Sequence, residues 1–306
     1  VTTRYTDLPP NLAFFEGRVG VVKRVTHTEY SGACPECGGD DRFRMMDDPI
    51  KPRGWCRKCD VKLYPNSFDG WVPPDAQEIA RRADASRRAL EREIARAQDL
   101  LAELKQAEPW IRYHAQLNAE AKMIWTYRGI NNFFQDYWQL GFSSDKPWGQ
   151  SLTIPVWQVG WDVANIKHRL LVPDGKGKYR SHTAGLPARS FVSAPDIKGG
   201  HALAVEGEIK AMAVYALLED PDLQVVGIPS KNPSDASIEV FDSYDCVTLS
   251  LDPDVSPSEV RKIADRIGRS RVRYMPLPGT EKIDDLITAG VLDAPALRRY
   301  VQGAHK

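Results

Sequence analysis

Leu203-Ala204-Val205-Glu206-Gly207-Glu208-Ile209-Lys210-Ala211-Met212-Ala213 is an apolar run that ends in a carboxylate, turns at a glycine and continues into helix-forming residues. Read as strand, turn and helix, it puts Glu206 at the carboxyl edge of a sheet, where ligands of open α/β folds bind. Val247-Thr248-Leu249-Ser250-Leu251-Asp252-Pro253-Asp254 repeats the design and delivers two carboxylates at the end of a second apolar strand. Alternation along an extended segment places Asp252 and Asp254 on one side. Short apolar strands are predicted at 203–205, 224–228, 247–251 and 271–275, with helices at 209–218 and 258–267 between them. Strands alternating with helices make a parallel α/β sheet.

Three carboxylates brought together without neutralising partners repel, so divalent cations are expected between Glu206, Asp252 and Asp254. Ligands offering only oxygen favour magnesium or manganese. A third acidic element follows, Glu281-Lys282-Ile283-Asp284-Asp285-Leu286. Asp284 is favoured as a supporting ligand, while Asp285 reads equally as a helix N-cap. The plainer alternatives are a surface turn for Glu206 and a helix-start cap for Asp252-Pro253-Asp254. Lys210, one turn into its helix, reads as a solvated face residue.

At the other end of the chain stand Cys34-Pro35-Glu36-Cys37 and Cys56-Arg57-Lys58-Cys59, with 18 residues between the pairs. That spacing suits a four-thiolate zinc ribbon, in which each pair forms a tight turn and the four sulfurs surround a closed, structural ion. Zinc binding then adds folding free energy to a module too small to bury much core. Cys246 reads as an ordinary buried thiol. Around the pairs, Arg42, Arg44, Trp55, Arg57 and Lys58 interleave cations with an aromatic ring, a pattern able to contact phosphates and stack on unpaired bases. Asp40, Asp41, Asp47 and Asp48 in the same stretch cancel part of that charge.

Between the two ends the composition changes twice. Residues 75–108 contain no Gly and no Pro, with Pro73-Pro74 before them and Pro109 after. They read as one long helix. Ile79, Ala83, Ser86, Leu90, Ile94, Ala97, Leu101 and Leu104 recur at steps of three and four as a narrow stripe. A straight helix of that span separates its ends by roughly 50 Å, so a spacer is expected. Residues 110–121 then read as helix, and 152–157, 162–171 and 179–183 as strands, with Pro173-Asp174-Gly175 as a turn. Lys167, Arg169, Lys178 and Arg180 on these strands are candidates to meet nucleotide or template phosphates.

The 306 residues carry 41 Lys plus Arg against 41 Asp plus Glu. No chain-wide basic field exists, and any nucleic-acid contact must come from local patches. With 42% hydrophobic residues, no long apolar run and no apolar signal core at Val1-Thr2-Thr3-Arg4-Tyr5, a soluble cytoplasmic globular protein is expected.

Glu206-Gly207 after one strand and Asp252-x-Asp254 after another resemble the TOPRIM domain of primases, topoisomerases and some nucleases. Preceded by a Cys-x-x-Cys ribbon, the arrangement resembles the DNA primases of bacteria and especially of phages. Tyr127-Arg128-Gly129-Ile130, Leu140-Gly141-Phe142, Leu152-Thr153-Ile154-Pro155, His168-Arg169 and Lys178-Tyr179-Arg180 fall in the order of the subdomain preceding TOPRIM in those enzymes. The resemblance implies a multidomain α/β protein: a β-rich zinc ribbon (1–73), a helical linker (74–108), a mixed α+β subdomain (109–200) and a parallel TOPRIM sheet (201–306). It also implies synthesis of short RNA primers on single-stranded DNA by two-metal nucleotidyl transfer, with Glu206, Asp252, Asp254 and Asp284 as catalytic residues and nucleoside triphosphates as substrates. The setting implied is a bacterial or phage-infected cell. The chain departs from the family in having four cysteines where many members have a histidine, and in its third acidic motif. It has no Gly-x-x-x-x-Gly-Lys-Ser/Thr phosphate loop, so a helicase would be a separate partner. A metal-dependent nuclease and a non-catalytic DNA-binding protein are the alternatives.

Overall fold

The computed structural model describes residues 4–5, 8–49, 51–67, 75–173, 175, 177–277 and 279–304. It divides into two units, Val1–Arg96 and Ala97–Lys306. Val1-Thr2-Thr3, Pro73-Pro74, Asp174 and the side chain of Ile79 lie outside the described residues. Among those described, no helix is long and apolar enough to cross a membrane.

The first unit is an antiparallel sheet whose six strands follow chain order: β1 (Arg4–Tyr5), β2 (Val22–Arg24), β3 (Glu29–Cys34), β4 (Gly38–Met46), β5 (Arg53–Cys56) and β6 (Lys62–Leu63). Alternation along β4 sends Phe43 and Met45 into a core with Leu12, Phe15, Val19 and Val22, and leaves Arg42 and Arg44 on the opposite face. Gly54 is required by packing, because a Cβ there would sit 2.5 Å from the Phe43 ring. α1 (Ala76–Ala107) starts where Asp75 Oδ1 accepts the Glu78 amide at 2.7 Å. Within this unit Arg82 donates to Asn11 Oδ1 at 3.1 Å and Arg24 pairs with Glu93 at 3.5 Å. The apolar stripe is only partly used: Leu90 and Ile94 are exposed, whereas Leu104 is buried in the core of the second unit.

The second unit begins with α2 (Pro109–Ala115), α3 (Ala119–Tyr127) and α4 (Asn132–Tyr137). One continuous helix over 110–121 was expected, and the chain breaks it at Asn118. The Asn118 side chain accepts the Ala121 amide at 2.8 Å and starts a new helix, the preference of Asn for caps over helix interiors. Four strands follow, β7 (Gly141–Ser143), β8 (Ser151–Gln158), β9 (Asp162–Leu170) and β10 (Tyr179–Ser181), in an antiparallel sheet of order β10-β9-β8-β7. The remaining strands are β11 (Phe191–Val192), β12 (His201–Glu206), β13 (Leu223–Ile228), β14 (Cys246–Ser250) and β15 (Val272–Tyr274). They form a sheet of order β11-β13-β12-β14-β15, parallel except for the two-residue β11. Its helices are α5 (Glu208–Leu218), α6 (Asp235–Ile238), α7 (Pro257–Ile267), α8 (Ile283–Thr288) and α9 (Ala294–Gln302). Ala202 and Ala204 of β12 pack into one core and Leu203 and Val205 into another, so this central strand is buried on both faces.

β9 is the strand that links structure to site. Lys167 and Arg169 project on one side, and His168 between them is wholly buried on the other. There His168 Nδ1 meets Ser151 Oγ at 2.9 Å and His168 Nε2 meets His182 Nδ1 at 3.1 Å. Burial holds His168 down to about 3 and His182 down to about 4, with His182 and Lys146 adding to the depression of His168. In the unfolded chain both bind protons near their ordinary value of 6.5. Between the two values the unfolded chain therefore binds more protons, so this contribution is complete above about pH 6.5 and is lost as pH falls. Between pH 7 and 5 the loss from His168 is about 2 kcal/mol. Urea unfolding of the second unit should show that decline in the native protein and a shallower one in His168→Gln; equal slopes would contradict the assignment.

Candidate active site and metal centre

The carboxyl edge of the parallel sheet opens into a cavity of about 440 Å³, bounded by Glu206, Glu208, Lys210, Asp252, Lys282 and Asp284 from the parallel sheet and its helices. Arg128 at the end of α3, Lys167 and Arg169 of β9, and Lys178 and Tyr179 beside β10 complete the wall, with Asp285. Gly207 makes the turn possible. Its φ of 86° and ψ of 156° lie in a region that residues with a Cβ rarely adopt. Gly227 on β13 makes room for it, since a Cβ at that position would approach the Gly207 carbonyl oxygen to 2.7 Å.

Asp252 and Asp254 do not share one side of an extended strand. β14 ends at Ser250, and the Val255 amide donates to the Asp252 carbonyl at 3.0 Å, closing a turn over Pro253. Proline presets the φ that the second position of such a turn needs, which the alternation argument left out. Asp252 is consequently 5% exposed and faces the cavity, whereas Asp254 is exposed and outside its wall. Asp254 is still near enough for its charge to act on Glu206 and Lys282.

Neutralising partners were not expected here, and the chain supplies them. Lys210 Nζ donates to Asp252 Oδ2 at 2.6 Å, and Lys282 Nζ stands 3.2 Å from the same oxygen. Lys210 is therefore no solvated face residue. Lys167 pairs with the buried Glu208, and Arg128 reaches Asp284 Oδ2 at 3.3 Å. Burial raises the Glu206 carboxyl above its ordinary value, with Asp252 adding to the rise and Lys210 opposing it. The hydrogen bond to Asp252 raises Lys282. Asp284 is buried in the first turn of α8, and its Oδ1 has no partner among the described residues. Among the four candidate phosphate contacts, Lys167, Arg169 and Lys178 line the cavity. Arg180 points elsewhere and donates to the Tyr179 carbonyl at 2.6 Å. Arg128, Glu208 and Lys282 were given no role from the sequence, although each lies inside a stretch that was quoted for other residues.

The four thiols of the ribbon converge. Cys34, Cys37, Cys56 and Cys59 have all their sulfurs within 4.8 Å of one another, with Cys34–Cys59 at 3.7 Å and Cys37–Cys56 at 3.6 Å. Four sulfurs about 2.3 Å from a tetrahedral ion lie roughly 3.8 Å apart, so the donor set fits zinc. Burial pushes the Cys56 thiol up, but the Cys59 and Lys58 amides donate to its Sγ at 3.5 and 3.3 Å and hold it down to about 6. Across the sheet, the register Lys23–Ser31–Arg44–Trp55–Lys62 forms one row on one face. Arg44 is partly spent on Glu29 at 3.3 Å and Arg57 on Asp41 at 3.5 Å, while Lys58 is exposed.

Residues 29–70 match the zinc-binding domain of primase-helicase. The fold is similar to that of the Aquifex aeolicus primase zinc-binding and RNA polymerase domains, at 15% identity over 92% of this chain and 80% of that one, with a TM-score of 0.52. The chain has the fold of a bacterial primase. The RNA polymerase domain of the Mycobacterium tuberculosis primase DnaG matches 68% of this chain and 84% of its own at 15% identity and a TM-score of 0.52. A DnaG primase catalytic domain bound to single-stranded DNA matches 69% and 83% at 16% identity and 0.50. No curated protein sequence matches the chain.

The ribbon has a small core, Leu12, Phe15, Val19, Val22, Tyr30, Phe43 and Met45 with two of the thiols. Its stability should therefore depend on zinc. Elemental analysis should give one zinc per chain, and removal by a strong chelator should open 8–67 to protease while 109–304 stays resistant. A ribbon that remains resistant without metal would contradict this.

Proposed function

We propose that the protein is a DNA primase that joins ribonucleotides into short primers on single-stranded DNA by divalent-metal-assisted nucleotidyl transfer. The observation that carries the reading is the cavity itself: Glu206, Asp252 and Asp284 meet Arg128, Arg169 and Lys178 at a sheet edge in a chain with the bacterial primase fold. On this reading 1–73 is the template-binding ribbon, 74–108 the linker, 109–200 the first part of the catalytic core and 201–306 a TOPRIM domain. Glu206 and Asp252 at the ends of adjacent parallel strands support the last assignment.

In each cycle the 3′ hydroxyl oxygen of one nucleotide loses its proton to solvent and bonds to the α-phosphorus of the next, the bond from that phosphorus to the bridging oxygen breaks, and pyrophosphate leaves. Magnesium or manganese held by Glu206 and Asp252, with Asp284 in support and the exposed Asp254 near enough to add its charge, would lower the pKa of the hydroxyl and neutralise charge on the phosphoryl oxygens. The unpartnered, buried Asp284 Oδ1 is the kind of donor such an ion completes. Arg169 and Lys178 form no ion pair among the described residues, which leaves them for triphosphate oxygens. Lys167 orients Glu208 instead. On the ribbon, the row through Arg44 and Trp55 offers a ring for an unpaired base and cations for the strand's phosphates. A separate replicative helicase completes the expected set of partners.

Labelled ribonucleotides incubated with mixed-sequence single-stranded templates and Mg²⁺ or Mn²⁺ should yield short oligomers. Glu206→Gln and Asp252→Asn should each lower synthesis by about 10²-fold or more while leaving template binding intact. Template degradation without ribonucleotides, or undiminished synthesis by both variants, would contradict the proposal.

A further inference from the structure

We infer that this sheet edge binds one divalent cation, not two, and that the Lys210 ammonium takes the place of the second. The inference rests on the primase reading and concerns the cation content of its site.

Charge decides the matter first. Among the cavity-lining carboxylates, Glu208 is answered by Lys167, Asp284 by Arg128, and Asp252 by both Lys210 and Lys282. Glu206 and Asp285 on the wall, and Asp254 beyond it, form no ion pair among the described residues. A cluster with three of its five wall carboxylates neutralised does not hold two dications as one of bare carboxylates would.

Geometry then names the residue. Lys210 lies in the first turn of α5, where a cation opposes the helix dipole. Its side chain is nevertheless 12% exposed and fixed at 2.6 Å from an Asp252 side chain that is 4% exposed. The ion pair outweighs the local disadvantage. A dication on Asp252 Oδ2 would meet two ammonium groups already within 3.2 Å of that oxygen. Lys282 is half-exposed and can yield, whereas Lys210 is enclosed. Oδ1 of Asp252 accepts no hydrogen bond among the described residues, and Oδ1 of Asp284 is buried without a partner. Together with Glu206 these oxygens are the donors left to a single hard cation, which they would have to close around, since among the described residues only the four ribbon cysteines already have donor atoms all within 4.8 Å of one another.

Counting bound Mn²⁺ by loss of the free-ion electron paramagnetic resonance signal tests this on the zinc-loaded full chain without nucleotide. Thiolate-bound zinc does not exchange for manganese, an ion suited to oxygen ligands. Wild type should bind one ion and Lys210→Asp two, while Lys282→Gln should keep one. Lys210→Gln, which adds no carboxylate, should take a second ion at least tenfold more tightly than wild type. Two ions in wild type, two in Lys282→Gln, or one in a Lys210→Asp protein that melts like wild type would overturn the inference and leave the primase reading standing. No ion in wild type would overturn both.

Discussion

Carboxylates gathered at one sheet edge repel unless each meets a positive charge, and the second unit is organised around supplying those charges. The parallel sheet contributes the acids Glu206, Glu208 and Asp252, and the antiparallel sheet with its preceding helices contributes Arg128, Lys167 and Arg169. The ion pairs Lys167–Glu208 and Arg128–Asp284 therefore join the two sheets at the place where the chemistry is proposed. Burying such pairs costs desolvation that their attraction only partly offsets. Stability alone is a poor reason for them, and a binding site for a charged substrate is a better one.

The supports behind that edge are apolar or neutral. β12 is buried on both faces, so Glu206 emerges from a rigid strand, and Gly207 with Gly227 lets the chain turn tightly beside β13. Behind β9, the uncharged His168 packs against Ser151 and His182 and fixes which way Lys167 and Arg169 project. Alternation along a strand thus turns one buried imidazole into two aimed cations.

Much of this could be read from residues alone. The four parallel strands, the turn after Glu206 and the two thiol pairs follow from local rules of periodicity and spacing. What escaped depended on contacts distant in sequence or on a local conformation that overrode a pattern. Pro253 converts an extended Asp-x-Asp into a turn and separates its carboxylates. Asn118 starts a helix inside a stretch whose composition reads as continuous helix. Lys210 looks solvated until Asp252, 42 residues away, is seen to lie against it. The two-residue β11 carries too little pattern to be recognised before β13 is there to pair with it.

Anomalous diffraction at the manganese edge, from crystals of the full chain soaked with Mn²⁺, tests the central claim most directly. The account predicts manganese density in the second unit against Glu206 and the free oxygens of Asp252 and Asp284. Manganese found only elsewhere on the surface, with these carboxylates bound to nothing but their lysine and arginine partners, would contradict it.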